Sequence, residues 1–322
     1  MKKILITGIA GFIGFHLAKK LAKKNFKIIG IDNLNNYYDV NLKKNRLKNL
    51  PKISFYRVDI NNLKNLEKIF KKYKPQIVIN LAAQAGVRYS LKHPKKYLDT
   101  NILGFFNILE LSRKYSVNHF LFASSSSVYG LNKKIPFKES HDTSNQTNIY
   151  GVTKKTNELM AHSYSYLHDI KCIGLRFFTV YGPWGRPDMA LFSFVRKILN
   201  NTPIKLFNKG NMYRDFTFID DAVDHVYELI KKREEIFKGK KIKYEIINIA
   251  GSKPIHLKKF IRIIEKNLKK KANLKYVENL KTEIKKTHSS NIKLKNYLNK
   301  TKKTSLESGI KKFVIWYKLF HK

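Results

Sequence analysis

The sequence predicts an α/β protein built on a doubly wound parallel sheet, and three observations predict it. An apolar run, Ile4 to Ile6, leads into Gly8-Ile9-Ala10-Gly11-Phe12-Ile13-Gly14 and then into helical spacing at Phe12, Ile13, Leu17 and Leu21. A second apolar run, Ile28 to Ile31, ends on an acid, Asp32. Beyond it, strand-like and helix-like stretches alternate as far as Phe178, the pattern of parallel strands joined by helical crossovers. Together they indicate a Rossmann-type sheet followed by a smaller C-terminal α/β lobe for a substrate.

In the first turn, Gly8 permits the tight reversal, Gly11 lets the backbone approach a pyrophosphate, and Gly14 lets the helix pack close to the strand. The helix N-terminus then faces an anion. Asp32 stands where a carboxylate accepts a hydrogen bond from an adenosine ribose 2′-hydroxyl and repels a 2′-phosphate, which favours NAD over NADP. Strand-like runs follow at Ile53 to Val58, Gln76 to Leu81, His119 to Ala123 and Cys172 to Phe178. Helical stretches at Leu63 to Lys72, Pro94 to Tyr115 and Asn148 to Leu167 lie between them.

After Gly182 the character changes. Pro183, Gly185 and Pro187 punctuate a loop, and later elements are shorter and more basic, with candidate strands at Phe216 to Ile219 and Tyr244 to Ile249. The expected division is an NAD-binding domain over residues 1–180, with 216–250 returning to it, and a substrate lobe over 181–215 and 251–322.

Composition narrows the class. Lys2 and Lys3 before an apolar stretch resemble the start of an export signal, but three glycines break that stretch, and His16, Lys19 and Lys20 stand where a cleavage site belongs. No apolar run reaches the roughly 18 residues of a membrane span, so a cytoplasmic enzyme is expected. Cys172 is the only cysteine, which excludes an intrachain disulfide and a cysteine-rich zinc site, and no metal site is expected. The formal net charge of +42 invites polyanions. Its lysines are spread through every segment without an aromatic-interleaved basic motif, so no specific nucleic-acid partner is expected.

The chemistry is expected at Tyr150-Gly151-Val152-Thr153-Lys154. A phenol is a poor base near neutrality unless a neighbouring cation favours the phenolate, and Lys154 stands one helical turn after Tyr150 on the same face. A Tyr-x-x-x-Lys spacing also arises by chance in a lysine-rich chain, as an ordinary surface pair. The neighbouring string Ser124-Ser125-Ser126-Ser127-Val128-Tyr129-Gly130 follows an apolar strand, which puts hydroxyls at a strand's carboxyl end, where α/β sheets bind ligands.

In order, Gly8-x-x-Gly11-x-x-Gly14, Ser125-x-x-Val128-Tyr129-Gly130 and Tyr150-x-x-x-Lys154 resemble the extended short-chain dehydrogenase/reductase superfamily and, within it, the nucleotide-sugar epimerases. Longer strings, from Asp32 to Asp39, Leu81 to Ser90, Gly174 to Met189 and Arg214 to Asp221, look like the UDP-glucuronate 4-epimerases. The resemblance implies NAD held by Gly8, Gly11, Phe12, Ile13, Gly14, Asp32, Asn33, Asp59, Ile60, Leu81, Ala82, Ala83, Phe177 and the pair Tyr150 and Lys154. It implies a UDP-sugar against Arg88, Ser125, Ser126, Ser127, Thr179, Arg186, Met189 and Arg214. Ser125, Tyr150 and Lys154 are then the catalytic set.

The implied reaction is UDP-glucuronate to UDP-galacturonate through a 4-keto sugar, in a homodimer formed across the helices at Pro94 to Tyr115 and Asn148 to Leu167, with polysaccharide biosynthesis as its setting. Ser126 and Ser127, where related dehydratases and decarboxylases carry acids, suit a substrate carboxylate, as do Thr179 and the planar fork of Arg186. A neutral UDP-sugar 4-epimerase, a UDP-glucuronate decarboxylase and a non-catalytic nucleotide-sugar-binding protein remain as alternatives. The chain departs from the family pattern at Thr287-His288-Ser289-Ser290 and at Thr282-Glu283, which puts nucleotide contacts from that segment in doubt.

Overall fold

A computed structural model describes residues 1–278, 284–298 and 303–321; Thr282 and Glu283 lie outside the described residues. The strands, in chain order, are β1 (Lys3–Thr7), β2 (Lys27–Asp32), β3 (Ser54–Arg57), β4 (Ile77–Asn80), β5 (His119–Ser125), β6 (Lys171–Phe177), β7 (Thr179–Tyr181), β8 (Ile204–Leu206), β9 (Tyr213–Phe218), β10 (Tyr244–Ile249), β11 (Pro254–His256) and β12 (Leu274–Tyr276). Seven form one parallel sheet in the order β10-β6-β5-β4-β1-β2-β3. Ile4, Leu5 and Ile6 of β1 are fully buried, as expected for a strand covered by helices on both faces. The strand order reverses between β1 and β4, and the crevice beyond their carboxyl ends is where such sheets take ligands.

Within the stretch 216–250, β10 adds to the main sheet beside β6, whereas β9 lies in a separate three-stranded sheet between β7 and β11. The reason is local. Only Phe178 separates β6 from β7, so the chain leaves the main sheet at once and gives β9 a parallel partner outside it.

The single helical stretch expected from Pro94 to Tyr115 is in fact three pieces: a short helix at Pro94–Tyr97, a π-helical segment at Leu98–Gly104 and an α-helix at Phe105–Lys114. The wider turn brings Asn101 inward, where Oδ1 accepts from the Gln84 N–H at 2.8 Å and Nδ2 donates to Thr153 Oγ1 at 3.0 Å. Such wide turns inside α-helices often mark functional sites.

Helix Ile149–His168 is fastened to the sheet by a buried network. Arg176 of β6 donates from Nε and Nη2 to the two carboxylate oxygens of Glu158, both at 2.8 Å, and Ser124 Oγ donates to Glu158 Oε1 at 2.6 Å. The Arg176 guanidinium lies 4.8 Å from the Tyr129 ring centroid. Tyr129 stacks on Phe137 and donates its hydroxyl to Asn248 Oδ1 at 2.7 Å.

The departing segment at Thr287-His288-Ser289-Ser290 has a structural place in the same region. The Phe137 N–H donates to His288 O at 2.7 Å, and the Ser289 N–H to the buried Asp215 carboxylate at 2.9 Å. Burial pushes the Asp215 carboxyl up to about 6 against the backbone N–H groups of Ser289, Gly251, Ser252 and Lys253.

Arg176→Leu leaves Glu158 buried without its cation and should destabilise the fold by about 3 to 5 kcal/mol. Ser124→Ala removes one donor to the same carboxylate and should cost about 1 to 3 kcal/mol. Urea unfolding midpoints check both, and near-equal midpoints for wild type and Arg176→Leu would show that the network does not hold the helix.

Candidate active site

The cleft beyond β1 and β4 is walled first by the glycine turn. Gly8 adopts φ +67°, and a Cβ there would lie 2.7 Å from the Ala82 backbone nitrogen. At Gly14 a Cβ would strike the Gly8 carbonyl oxygen. The turn therefore closes only with glycine at both points, and Thr7 reinforces it: its hydroxyl donates to Asn80 and accepts from the Ala82 N–H at 3.1 Å. Helix Phe12–Ala22 then begins at Gly11 with no side-chain cap and no acid in its first turn. Its first N–H groups are left for an anion, the fit a dinucleotide pyrophosphate requires.

Asp32, at the end of β2, lines the same cleft. Its carboxylate accepts from the Ala10 N–H at 3.1 Å and the Leu34 N–H at 2.8 Å, while burial makes it a weaker acid than usual, against those bonds and the charges of Lys43 and Arg46. Lys43 stands near it, donating to Asn35 O at 2.7 Å, and burial brings its ammonium down to about 8. Asp59 does not line the cleft; it accepts from Asn33 Nδ2 at 2.7 Å and so holds a residue that does.

The candidate reactive group lies at the first turn of helix Ile149–His168, where Asn148 caps the Gly151 N–H at 2.9 Å and fixes the entry of Tyr150. Burial raises the Tyr150 phenol, opposed by a hydrogen bond with Ser125 and by the charge of Arg186. Lys154 is 3 % exposed, and its ammonium donates to Ala123 O at 2.8 Å. Desolvation brings that ammonium down to about 7. The Arg186 charge joins Ser125 in favouring the Tyr150 phenolate against burial.

Arg186 reaches the cleft from the loop after β7. Its Nε and Nη2 donate to the two oxygens of Asp188 at 2.9 and 2.6 Å. Tyr37, from the loop after β2 on the opposite wall, donates its hydroxyl to Asp188 Oδ2 at 3.2 Å. Tyr97 supports the floor, its hydroxyl 2.8 Å from Ala85 O, with its ring edge-on to Tyr150 at 6.0 Å.

Gly8, Gly11, Phe12, Ile13, Gly14, Asp32, Asn33, Ile60, Leu81, Ala82, Ala83, Ser125, Ser126, Tyr150, Lys154, Phe177, Thr179, Arg186 and Met189 are brought together on this one cleft. Arg88, Ser127 and Arg214, like Asp59, are not among its lining residues. Ser127 sits in the 3₁₀ turn Ser126–Tyr129 and gives its N–H to Ser125 Oγ at 3.1 Å. The Arg88 guanidinium lies over Phe207 at 4.4 Å, and Arg214 donates to Tyr213 O at 3.0 Å. Sequence reasoning missed Tyr37, Gln84, Asn101 and Asp188. Tyr37 and Asp188 both lie within strings noticed for resemblance, yet their meeting joins positions 151 residues apart.

Comparison with known proteins matches these features. The chain is 45% identical to protein CapI of Staphylococcus aureus, over 99% of each chain. It is 41% identical to the UDP-glucuronate 4-epimerase of Thermodesulfobacterium geofontis, over 98% of this chain and 95% of the other. The crystal structure of UDP-glucuronic acid 4-epimerase from Bacillus cereus, in complex with UDP-glucuronic acid and NAD, superposes with a TM-score of 0.90 at 32% identity, covering 99% of each chain. Residues 4–250 match the family described as NAD dependent epimerase/dehydratase, and with the glycine cradle, Asp32 and the Ser125, Tyr150 and Lys154 set in place, this chain belongs to that family.

Proposed function

We propose that the chain interconverts UDP-glucuronate and UDP-galacturonate by epimerisation at C4. The observation that carries this reading is that Arg186 and the hydroxyls of Ser126 and Thr179 line the same cleft as Ser125, Tyr150 and Lys154. A cationic fork with neutral hydroxyls beside the reacting tyrosine suits a sugar carboxylate.

When bound, NAD+ supplies the hydride acceptor for C4 and the hydride that returns to the opposite face. Tyr150 takes the proton of the 4-hydroxyl and gives it back, with Ser125 bonded to the same oxygen. Lys154, through its free N–H donors, holds the nicotinamide ribose. Ser126, Thr179 and Arg186 hold the carboxylate of the 4-keto sugar, a β-keto acid that loses carbon dioxide when its carboxylate is free to align. Arg88 and Arg214, outside the cleft, serve the diphosphate, and the lobe of residues 181–215 and 251–322 carries the UDP.

A second reading has an observation behind it. Asp188 already meets the Arg186 charge, which favours a neutral UDP-sugar as substrate. Product analysis after incubation with UDP-glucuronate alone separates the two. UDP-galacturonate with no net NADH is expected, and turnover of UDP-glucose without turnover of UDP-glucuronate would establish the second reading instead.

The reading includes a homodimer, placed in the cytoplasm, where NAD and UDP-sugars are at hand. Leu91, Leu98, Leu103, Phe106, Val152 and Leu159 are exposed on the helices between 87 and 168, an apolar surface that a twofold partner would cover. Sedimentation at physiological salt should give a dimer; a monomer independent of concentration would remove this part of the reading.

Tyr150→Phe keeps the ring and should cut epimerisation by about 10²- to 10⁴-fold with NAD still bound, as measured by product formation and cofactor content. Lys154→Met should release NAD more readily. Its buried ammonium titrates near 7, below the ordinary 10.5, so the burial penalty is felt in full below pH 7 and is relieved as the pH rises above it. NAD-stripped wild type should therefore gain stability from about pH 7 to 10, and Lys154→Met should lose that gain. Parallel stability curves for the two proteins would contradict a desolvated Lys154.

A further inference from the structure

We propose that Asp188 is a positioning residue for substrate selection: a built-in carboxylate, locked by Tyr37, that grips one edge of the Arg186 fork and presents the other edge to the carboxylate of the sugar. This rests on the reading that the sugar is a uronate.

A guanidinium offers two bidentate edges, one through Nε and Nη2 and one through Nη1 and Nη2. Asp188 occupies the first, at 2.9 and 2.6 Å, and the Nη1 group makes no hydrogen bond among the described residues. Arg186 lines the same cleft as Ser126, Thr179 and Tyr150, and the proposal assigns its unused edge to that space. A lone arginine there would be a long flexible side chain that loses entropy on each binding event. Two fixed bonds from a residue two positions away remove most of that loss before substrate arrives.

The lock on Asp188 comes from the other wall. Tyr37 donates to Asp188 Oδ2 at 3.2 Å, and its ring packs on Tyr89 at 4.8 Å between centroids. Gly86 adopts φ +101°, and a Cβ there would come within 2.8 Å of the Tyr37 hydroxyl oxygen, so the loop after β4 leaves room for this ring. Burial raises the Asp188 carboxyl, but the charge and hydrogen bonds of Arg186 overcome it and hold the group ionised, below the usual carboxylate range. The arrangement also tempers the field at Tyr150, because the Arg186 charge that favours the phenolate is partly offset by the acid beside it.

Arg186→Ala would strand Asp188 without its cation and confound the two roles. The cleaner variants are Asp188→Asn, which keeps the shape and removes the charge, and Tyr37→Phe, which removes only the lock. With the NAD-loaded enzyme, dissociation constants for UDP-glucuronate and UDP-glucose and the pH profile of kcat are measured for wild type and both variants. Asp188→Asn should weaken UDP-glucuronate by about tenfold or more and UDP-glucose by less than about twofold. Tyr37→Phe should shift the same ratio by a smaller factor. The acidic limb of kcat should move to lower pH in Asp188→Asn, a change that a merely structural residue would not produce. A wild type that prefers UDP-glucuronate, with a preference that Asp188→Asn retains in full or an equal loss for both sugars, overturns the role of Asp188 alone. A wild type without that preference overturns both this role and the uronate reading.

Discussion

The buried contact of Glu158 with Arg176 and Ser124 is the constraint on which the reacting geometry depends. Glu158 lies on the helix that begins with Tyr150, Arg176 on β6, and Ser124 beside the Ser125 that bonds Tyr150. One carboxylate therefore sets the height of the tyrosine relative to the serine and the sheet. A pair so deeply buried adds little net stability over a well-packed apolar cluster, because desolvation offsets most of its attraction. What it supplies is register. A helix held only by apolar contacts could slide or turn slightly at small cost, whereas two bidentate bonds and a hydroxyl accept one position.

A second layer of fixing surrounds the first. Asn101, turned inward by the π-helical segment, ties the Gln84 loop to Thr153, one residue before Lys154. The Asn157 amide donates to Asn101 O at 2.6 Å, so the same helix is bound again one turn later. Cleft walls from β4, β5 and the helix are thus cross-linked by side chains that never touch a reacting atom. Such support is what a candidate proton donor needs to stay within the narrow range of distance that transfer demands.

The parallel sheet was legible because its inner strands β1, β2 and β4 are buried on both faces and read as apolar runs, and the glycine turn because backbone contact with Ala82 leaves no room for a Cβ. Tyr150 and Lys154 were legible as one helical turn. Three-residue strands such as β8, β11 and β12 were not, since so short a run has no measurable period. The π-helical break was hidden as well: nothing in the period of Leu98 to Gly104 sets it apart from its helical neighbours, and the partners that Asn101 meets there, Gln84 and Thr153, lie far along the chain. The Tyr37 and Asp188 contact was invisible for the same reason. Arg186 was visible, but its partner was not, so its charge read as free when it is half spent.

The passage from β6 to β7 through Phe178 alone bears on the proposed epimerisation. The Phe178 N–H donates to Ile249 O at 3.1 Å, so the crossing point is itself pinned to β10. No slack linker separates the sheet that carries Ser125 from the strand that carries Thr179. A swing of the three-stranded sheet against the main sheet would strain this short strand path. For the proposed epimerisation, so short a joint assigns inversion to rotation of the small molecule, and the frame's task is then to tolerate two poses of one ring without favouring either enough to trap it.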